Sequence, residues 1–490
     1  MKNSSTSFKS LEALEDNFKG HNLLGEELQT YFQNYADVHF IDMEEKHSNI
    51  SAFYCVGMVD INQVNEYFHS IIEYVQVRED AVMGMDIELP PMEKIHSISG
   101  LINRVFSGYF IVFPPHRNYF LAFELADVPK REPSESNTEV SIKGPKDGFT
   151  EELNINTALI RKRLKSPYLF NENVEIGTLS KTAVSLMYLD DRVNKEMLSE
   201  VKSRLEQMET ESLVSSGQLE QWLSNRTFSL FPLFDYIGRP DFAVECLLRG
   251  RFIVIVDGSP MILIGPNNVF VLLKSPEDIH YPYHTVAFQR IFRIIGFFIA
   301  VMLPGFWIAI SAVNVDQLPF QLLNTVSLSR EGLPIPLGLE AFFILGLFEL
   351  LREAGIRMPK AVGQTVAIVG GLIIGDAAIR AGLASATMIV VVALTAVATF
   401  TLVNQSLTGT VSVLRIYIML LGVFLGIYGV FLGLFSILFY LARLESFKVG
   451  YLEPISTLNF KDILSALLVN PFKNRQFKAQ MVQRKGGQEE

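Results

Sequence analysis

Few side chains in this sequence are placed to do chemistry, and those that stand out do so by context. Glu340 and Glu349 fall in the apolar stretch Pro334–Leu351, and Asp376 falls in Val362–Ile379, which also holds the polar Gln364 and Thr365 and is followed by Arg380. A carboxylate in hydrocarbon costs about 2.5–3.5 kcal/mol on insertion scales, so it needs a partner or water. Asp376 and Arg380 are four apart, the spacing of an ion pair on one helical face. Glu340 and Glu349 are nine apart, about 900° at 100° per residue, and so face opposite ways. Such groups either line a water-filled conduit or reach the interface from the ends of their spans. The other candidates are weaker. His280 and His284 have helical spacing, but Pro282 lies between them; Asp257 and Ser259 sit in an Asp-Gly turn that accounts for both. Phosphate-loop, dinucleotide, zinc-protease, nucleophile-elbow and C-x-x-C patterns are absent. Cys55 and Cys246 are too few for a disulfide framework, a four-cysteine zinc site or an iron–sulfur cluster. We expect no enzymatic activity, no cofactor and no metal.

The elements that carry these residues are unevenly distributed. Residues 1–289 hold 26 Lys/Arg and 41 Asp/Glu, whereas residues 294–442 hold six of each sign. That contrast excludes a single water-soluble fold, and the acidic first part lacks the basic field that nucleic-acid binding needs. Ile294–Val313, Ala384–Val403 and Ile416–Ala442 are uncharged runs of 20, 20 and 27 residues, each long enough to span the roughly 30 Å of hydrocarbon. With Pro334–Leu351 and Val362–Ile379 as weaker candidates, the membrane part at 290–442 has about four to six segments; Gln317–Leu328 is a possible shallow dip. Arg290, Arg293, Arg352, Arg357 and Lys360 mark cytoplasmic ends by the positive-inside rule, and so does the basic tail at 443–490. Five full crossings would put that tail outside, so one segment must fail to cross if both termini share a side. Gly422, Gly426, Gly429 and Gly433 follow one face of a continuous last helix, and Gly371 and Gly375 share the same small-xxx-small spacing, which allows close helix packing in lipid.

Before the membrane, a polar tail (1–20) with no signal-peptide run implies that the soluble part stays cytosolic. Two α/β modules follow, at 21–130 and 166–289, joined by a Pro-, Ser- and charge-rich linker at 131–165. The first has strands at Val38–Asp42, Ile50–Val59, Tyr109–Phe113 and Tyr119–Leu125 and a helix at Asn62–Tyr74. The second has a strand at Thr182–Tyr188, a helix at Asp191–Met208 with a core-facing stripe (Val193, Met197, Val201, Leu205, Met208), and a hairpin, Phe252–Val256 and Met261–Ile264, closed by Asp257-Gly258.

The segments Asp235-Tyr-Ile-Gly-Arg-Pro-Asp241, Leu248-Arg-Gly-Arg251, Val256-Asp-Gly-Ser-Pro260 and Phe348-Glu-Leu-Leu-Arg-Glu-Ala-Gly-Ile-Arg-Met-Pro359 resemble the A subunit of the GerA family of spore germinant receptors. So do Gly363-Gln364, Val369-Gly-Gly371 and Ile374-Gly375, and upstream Lys143-Gly-Pro145, Gly148-Phe149, Glu151 and Ile160-Arg-Lys-Arg-Leu164. The likeness runs from about Lys130 to Pro471; Asn404-Gln405 stands where many relatives have a proline. The resemblance implies a multi-pass protein of the spore inner membrane. It would work with a transporter-like, germinant-binding B subunit and a lipoprotein C subunit, and would oligomerise into a nutrient-gated cation conduit. Glu340, Gln364, Thr365, Asp376 and Arg380 are then candidates for the pore or its gate. A paralogous group, the stage V sporulation AF type, resembles the same motifs with other partners. A nutrient transporter is the rival from another class, against which stands the lack of an internal repeat.

Overall fold

The computed structural model describes residues 14–20, 25–45, 48–76, 89–114, 119–127, 141–224, 228–358, 371, 373–453 and 455. The chain divides into two units: one holds the described residues up to 224 together with 234–266, and the other holds 228–233 and 267 onward.

The first unit contains two antiparallel five-stranded sheets. In the first, β1 (Val38–Glu45), β2 (Ser48–Cys55), β3 (Met92–Ile95), β4 (Tyr109–Phe113) and β5 (Phe120–Glu124) are ordered β1-β2-β4-β5-β3. Helices α1 (Gly25–Phe32), α2 (Ile61–Gln76) and α3 (Ile98–Val105) accompany it, as does a helical stretch at 14–19 whose Phe18 stacks on Phe120. Val64, Ile71, Ile72 and Val75, spaced along one face of α2, pack on the alternate residues Ile50, Ala52 and Tyr54 of β2 and Phe110 and Val112 of β4.

The second sheet, β6 (Leu169–Ile176), β7 (Thr182–Leu189), β8 (Asp235–Ile237), β9 (Phe252–Val256) and β10 (Ile262–Gly265), is ordered β6-β7-β9-β10-β8. Its helices are α4 (Leu153–Arg163), α5 (Lys195–Glu206), α6 (Ser216–Leu223) and α7 (Pro240–Leu248). Every residue of β9 is buried, the signature of a central strand covered on both faces. The expected hairpin is present, with Gly258 at φ +82° in its turn. Asp257 Oδ1 accepts from Leu153 N at 3.1 Å, so the turn carboxylate serves the start of α4. That helix lies within the stretch read from sequence as linker (131–165). It is buried through Asn156, Thr157, Ala158, Ile160 and Arg161, and its low amphipathicity hid it.

The two modules are joined by polar contacts. Arg161 donates Nε to Asp37 Oδ2 (2.7 Å) and Nη2 to Oδ1 (3.0 Å), and its Nη1 donates to Leu169 O (2.6 Å). Its guanidinium also lies over the Phe106 ring, 4.1 Å from the centroid.

The second unit is helical. Its elements are α8 (Tyr283–Ile308, continued by a π turn over Ala309–Val313), α9 (Phe320–Ser329), α10 (Leu337–Ile356), α11 (373–380), α12 (Ala386–Phe400) and α13 (Gln405–Ala442). Two runs, Tyr283–Val313 and Ser406–Ala442, are long and apolar enough to cross a membrane. α13 is not one straight helix. Gly426 has φ +61° and ψ −144°, a conformation that essentially only glycine adopts, and there the chain doubles back. Tyr417 Oη and Ser436 Oγ are 2.9 Å apart, although 19 residues of straight helix would separate them by about 28 Å. At the far end Leu230 joins both legs: its N–H donates to Tyr440 Oη (3.1 Å) and its carbonyl accepts from Thr410 Oγ1 (2.7 Å). The expectation of one continuous last span is therefore corrected to a helical hairpin. Hydropathy is uniform across 27 residues and gives no turn signal.

Contacts set the direction of the other helices. α8 runs alongside the first leg of α13, with Ala300 at Arg415, Gly305 at Gly422 and Asn314 at Gly426. α12 runs opposite to α8, since Met388 packs with Ile308 while Gly296 meets Thr401. α10 begins, and α11 ends, at the Gly426 end of the bundle. Gly338 lies against Val423, and Ala341 and Ala378 share a core with Ile308 and Met388.

Candidate functional site

The deepest carboxylate of the helical unit is Glu340, in the first turn of α10 and fully buried. Its Oε1 accepts from both the N–H and the Oγ of Ser385, each at 2.6 Å. Ser385 is the N-cap of α12, and its Oγ in turn accepts from Met388 N at 3.2 Å. A carboxylate is favoured there because the unsatisfied N–H groups of a helix start carry partial positive charge. Among the described residues Glu340 Oε2 has no hydrogen-bond partner, and Arg330 Nε lies 3.9 Å from it. Glu340 thus pins the start of α12 to the start of α10 and leaves one buried oxygen unused.

Asp376 and Arg380 form the ion pair expected from their spacing, Oδ2 to Nε 2.8 Å, and their side chains are 58% and 78% exposed. That exposure separates them from Glu340: the bundle does not bring the three to one surface. Glu349 faces away from Glu340, as its spacing requires, and pairs with Arg352 one turn on. Gln364 and Thr365 lie outside the described residues.

The glycines divide into three groups. A methyl on Gly422 would lie 2.6 Å from Gly305 O, so here the backbones of α8 and the first leg of α13 touch. Gly429 and Gly433 press on Leu421 and Ile418 of the opposite leg. The partner helices for these three lie within the chain. Gly426 does not pack a helix face; it makes the reversal, where Asn314 Oδ1 accepts from Ile427 N at 2.9 Å. Among the described residues Gly371 and Gly375 meet only Phe348 and Ile389, in ordinary contact at 3.8 Å.

Asn314 and Arg415, which the sequence reading passed over, complete the interior with Pro304, which it read as the interruption of the first span. Asn314 caps the second leg of α13. Pro304 interrupts the hydrogen bonding of α8, and Arg415 is 6% exposed at mid-length of the first leg. The signal for Arg415 was available: it is the one charge between the apolar runs 381–414 and 416–442. Among the described residues no three His, Cys, Asp or Glu side chains are grouped to hold a metal ion. What the assembled groups do is position helices and place isolated charges within an apolar bundle.

The profile of the family described as "Bacillus/Clostridium GerA spore germination protein" matches residues 26–481. Spore germination protein XA of Bacillus anthracis is 44% identical over 382 residues, covering 78% of this chain and 77% of its own length. Spore germination protein KA of Bacillus subtilis (strain 168) is 32% identical over 438 residues, covering 88% and 80%. Among solved structures, the N-terminal domain of the A subunit of the Bacillus megaterium spore germinant receptor GerK3 aligns with 50% of this chain and 95% of its own, at 24% identity and a TM-score of 0.37. With the family profile spanning both units and relatives above 30% identity along most of the length, this chain belongs to the GerA family of spore germination proteins.

Proposed function

We propose that the chain is the non-enzymatic A subunit of a spore nutrient-germinant receptor. It spans the spore inner membrane several times and, as a homo-oligomer with a transporter-like B subunit and a lipoprotein C subunit, forms a nutrient-gated path for cations. The observation that carries this reading is the exposed pair Asp376–Arg380 on α11, a helix whose Ala378 packs into the bundle core. An ion pair turned outward from an apolar bundle is costly against lipid. Water in a path completed by neighbouring copies removes that cost, and a carboxylate at its mouth favours cations. Gln364 and Thr365 precede α11 in the same apolar stretch and extend the candidate lining. Glu340, buried behind α11, contributes by holding α10 to α12.

The directions of α8, α10, α12 and the two legs of α13, with the apolar stretch Val362–Ile379 counted as a further crossing on its sequence, support six passes. An even number returns both ends of the membrane part to one side. Arg290, Arg293, Arg352, Arg357, Arg443 and Lys448 then fall at the end away from Gly426, the cytoplasmic end by the positive-inside rule. Counting the hairpin as two passes puts the basic residues after Ala442 on the same side as Arg290 and Arg293 in this reading.

Liposomes containing the chain with its B and C partners should show a nutrient-dependent rubidium flux, with Asp376→Asn lowering cation over anion selectivity. Uptake of labelled nutrient without ion flux would overturn the channel reading in favour of transport.

A further inference from the structure

The centre of the α8–α13 contact holds a charge whose surroundings are unusual. Pro304 has no N–H, so the carbonyl of Ala300, four residues earlier, loses its helical donor. Arg415 supplies one from another helix: Nε donates to Ala300 O at 2.8 Å. Its Nη2 donates to Thr399 Oγ1 at 2.6 Å, and Thr399 passes its own proton on to Thr395 O at 2.8 Å. Arg415 thus ties α8, α12 and the first leg of α13 together at one level. Among the described residues its hydrogen bonds go to these neutral oxygens alone, while Glu349 and Arg352 of α10 act on the guanidinium through space without bonding it. A charge is an expensive way to make hydrogen bonds inside an apolar bundle. It is retained where two acceptors on different helices must be held at once by a rigid fork, which a lysine does not provide.

The surrounding contacts define what this tie controls. Above it, Gly305 and Gly422 let the two helix backbones touch, and Asn314 caps the second leg of α13. A proline gap is a natural bending point of a helix, and here it lies between a tight upper contact and the Arg415 tie. We propose that Arg415 is a positioning residue that latches α8 at the Pro304 gap, and that release of the Ala300 carbonyl lets the upper part of α8 move with the α13 hairpin. The regulatory meaning of this latch, a brake on opening, rests on the channel reading above; the latch itself does not.

The test uses the full chain in liposomes with two readouts. Amide hydrogen exchange over residues 300–308 should rise about tenfold in Arg415→Lys and Arg415→Gln. It should return close to the wild-type rate when Pro304→Ala is added, because alanine restores the internal donor for Ala300. Pro304→Ala alone should exchange no faster than wild type. A general folding defect at Arg415 would not be repaired by Pro304→Ala, so additive effects or unchanged exchange would overturn the latch. Nutrient-free rubidium leak should follow the same pattern, raised several-fold in the Arg415 variants and suppressed in the double variant. Exchange that follows the pattern while no preparation, wild type with partners and nutrient included, conducts rubidium would keep the latch and sink the channel reading.

Discussion

At the scale of single residues, the α/β unit contains a buried ion pair, Arg161–Asp37, that no local pattern announces. Burial alone would raise the Asp37 carboxyl, but the Arg161 guanidinium more than offsets this and holds it below its ordinary value. Burial likewise pushes the neighbouring Cys55 thiol well up, with Asp37 adding to the effect, so the thiol stays neutral. Removing one partner of a buried pair leaves an uncompensated charge, which costs about 3–5 kcal/mol. Arg161→Met should therefore lower stability by about that much at pH 7, read from thermal unfolding of the detergent-solubilised protein. The pH dependence has a definite sign. With its depressed folded value, the Asp37 pair adds stability that is present above the unfolded carboxylate value and lost as pH falls through the folded one. In Arg161→Met, burial without a cation favours the protonated acid, so the deficit against wild type should shrink toward pH 5. A deficit of constant size would show that lost packing of Arg161 on Phe106, rather than the charge, is what the variant removes.

At the scale of elements, the reversal at Gly426 distinguishes a hairpin from a long span. The Tyr417→Cys/Ser436→Cys pair should be joined efficiently by a short bismaleimide in membranes, because the wild-type side chains meet at 2.9 Å. A continuous helix would hold the two sites about 28 Å apart and give no product. Gly426→Ala should lower expression and crosslinking together. A Cβ at that backbone conformation is strained, and it would collide with Asn314 Oδ1. In the α/β unit, β1, β2, β4, β5, β7, α2 and the β9–β10 hairpin lie within a few residues of where their periodicity places them, while β3, β6 and β8 fall in stretches where no strand is expected. Of the expected stripe, Val193, Met197, Val201 and Leu205 are buried, whereas Met208 lies beyond the helix end and is only half-buried, and β4 spans Tyr109–Phe113 as expected. Helix α4 escaped detection because its buried face contains Asn156, Thr157 and Arg161; the first two are satisfied locally by Thr150 and Leu153, and Arg161 by Asp37, 124 residues away.

At the scale of the whole molecule, six passes make a labelling prediction that five do not. Cysteines placed at Lys143 and Lys448 should react with an impermeant maleimide only from the cytoplasmic side, and one at Gln317 only from the other. Labelling of Lys143→Cys and Lys448→Cys from opposite sides would restore an odd number of crossings. The same arrangement explains why the candidate pore residues were legible only in part. The Asp376–Arg380 pair follows from helical spacing alone and is present. Whether Glu340 faces water or protein depends on Ser385, 45 residues away, which the apolar pattern around Glu340 does not indicate.

Composition and periodicity alone determined that this chain joins an acidic α/β part to an apolar helical part, and where most helices and strands run. Those properties follow from local partition between water and apolar surroundings and from side-chain spacing. Only the tertiary structure decided that the last apolar run doubles back, that Glu340 is enclosed, and that Arg415 serves the carbonyl freed by Pro304. Each depends on a partner brought close by folding, and hydropathy carries no information about which distant residue that partner is.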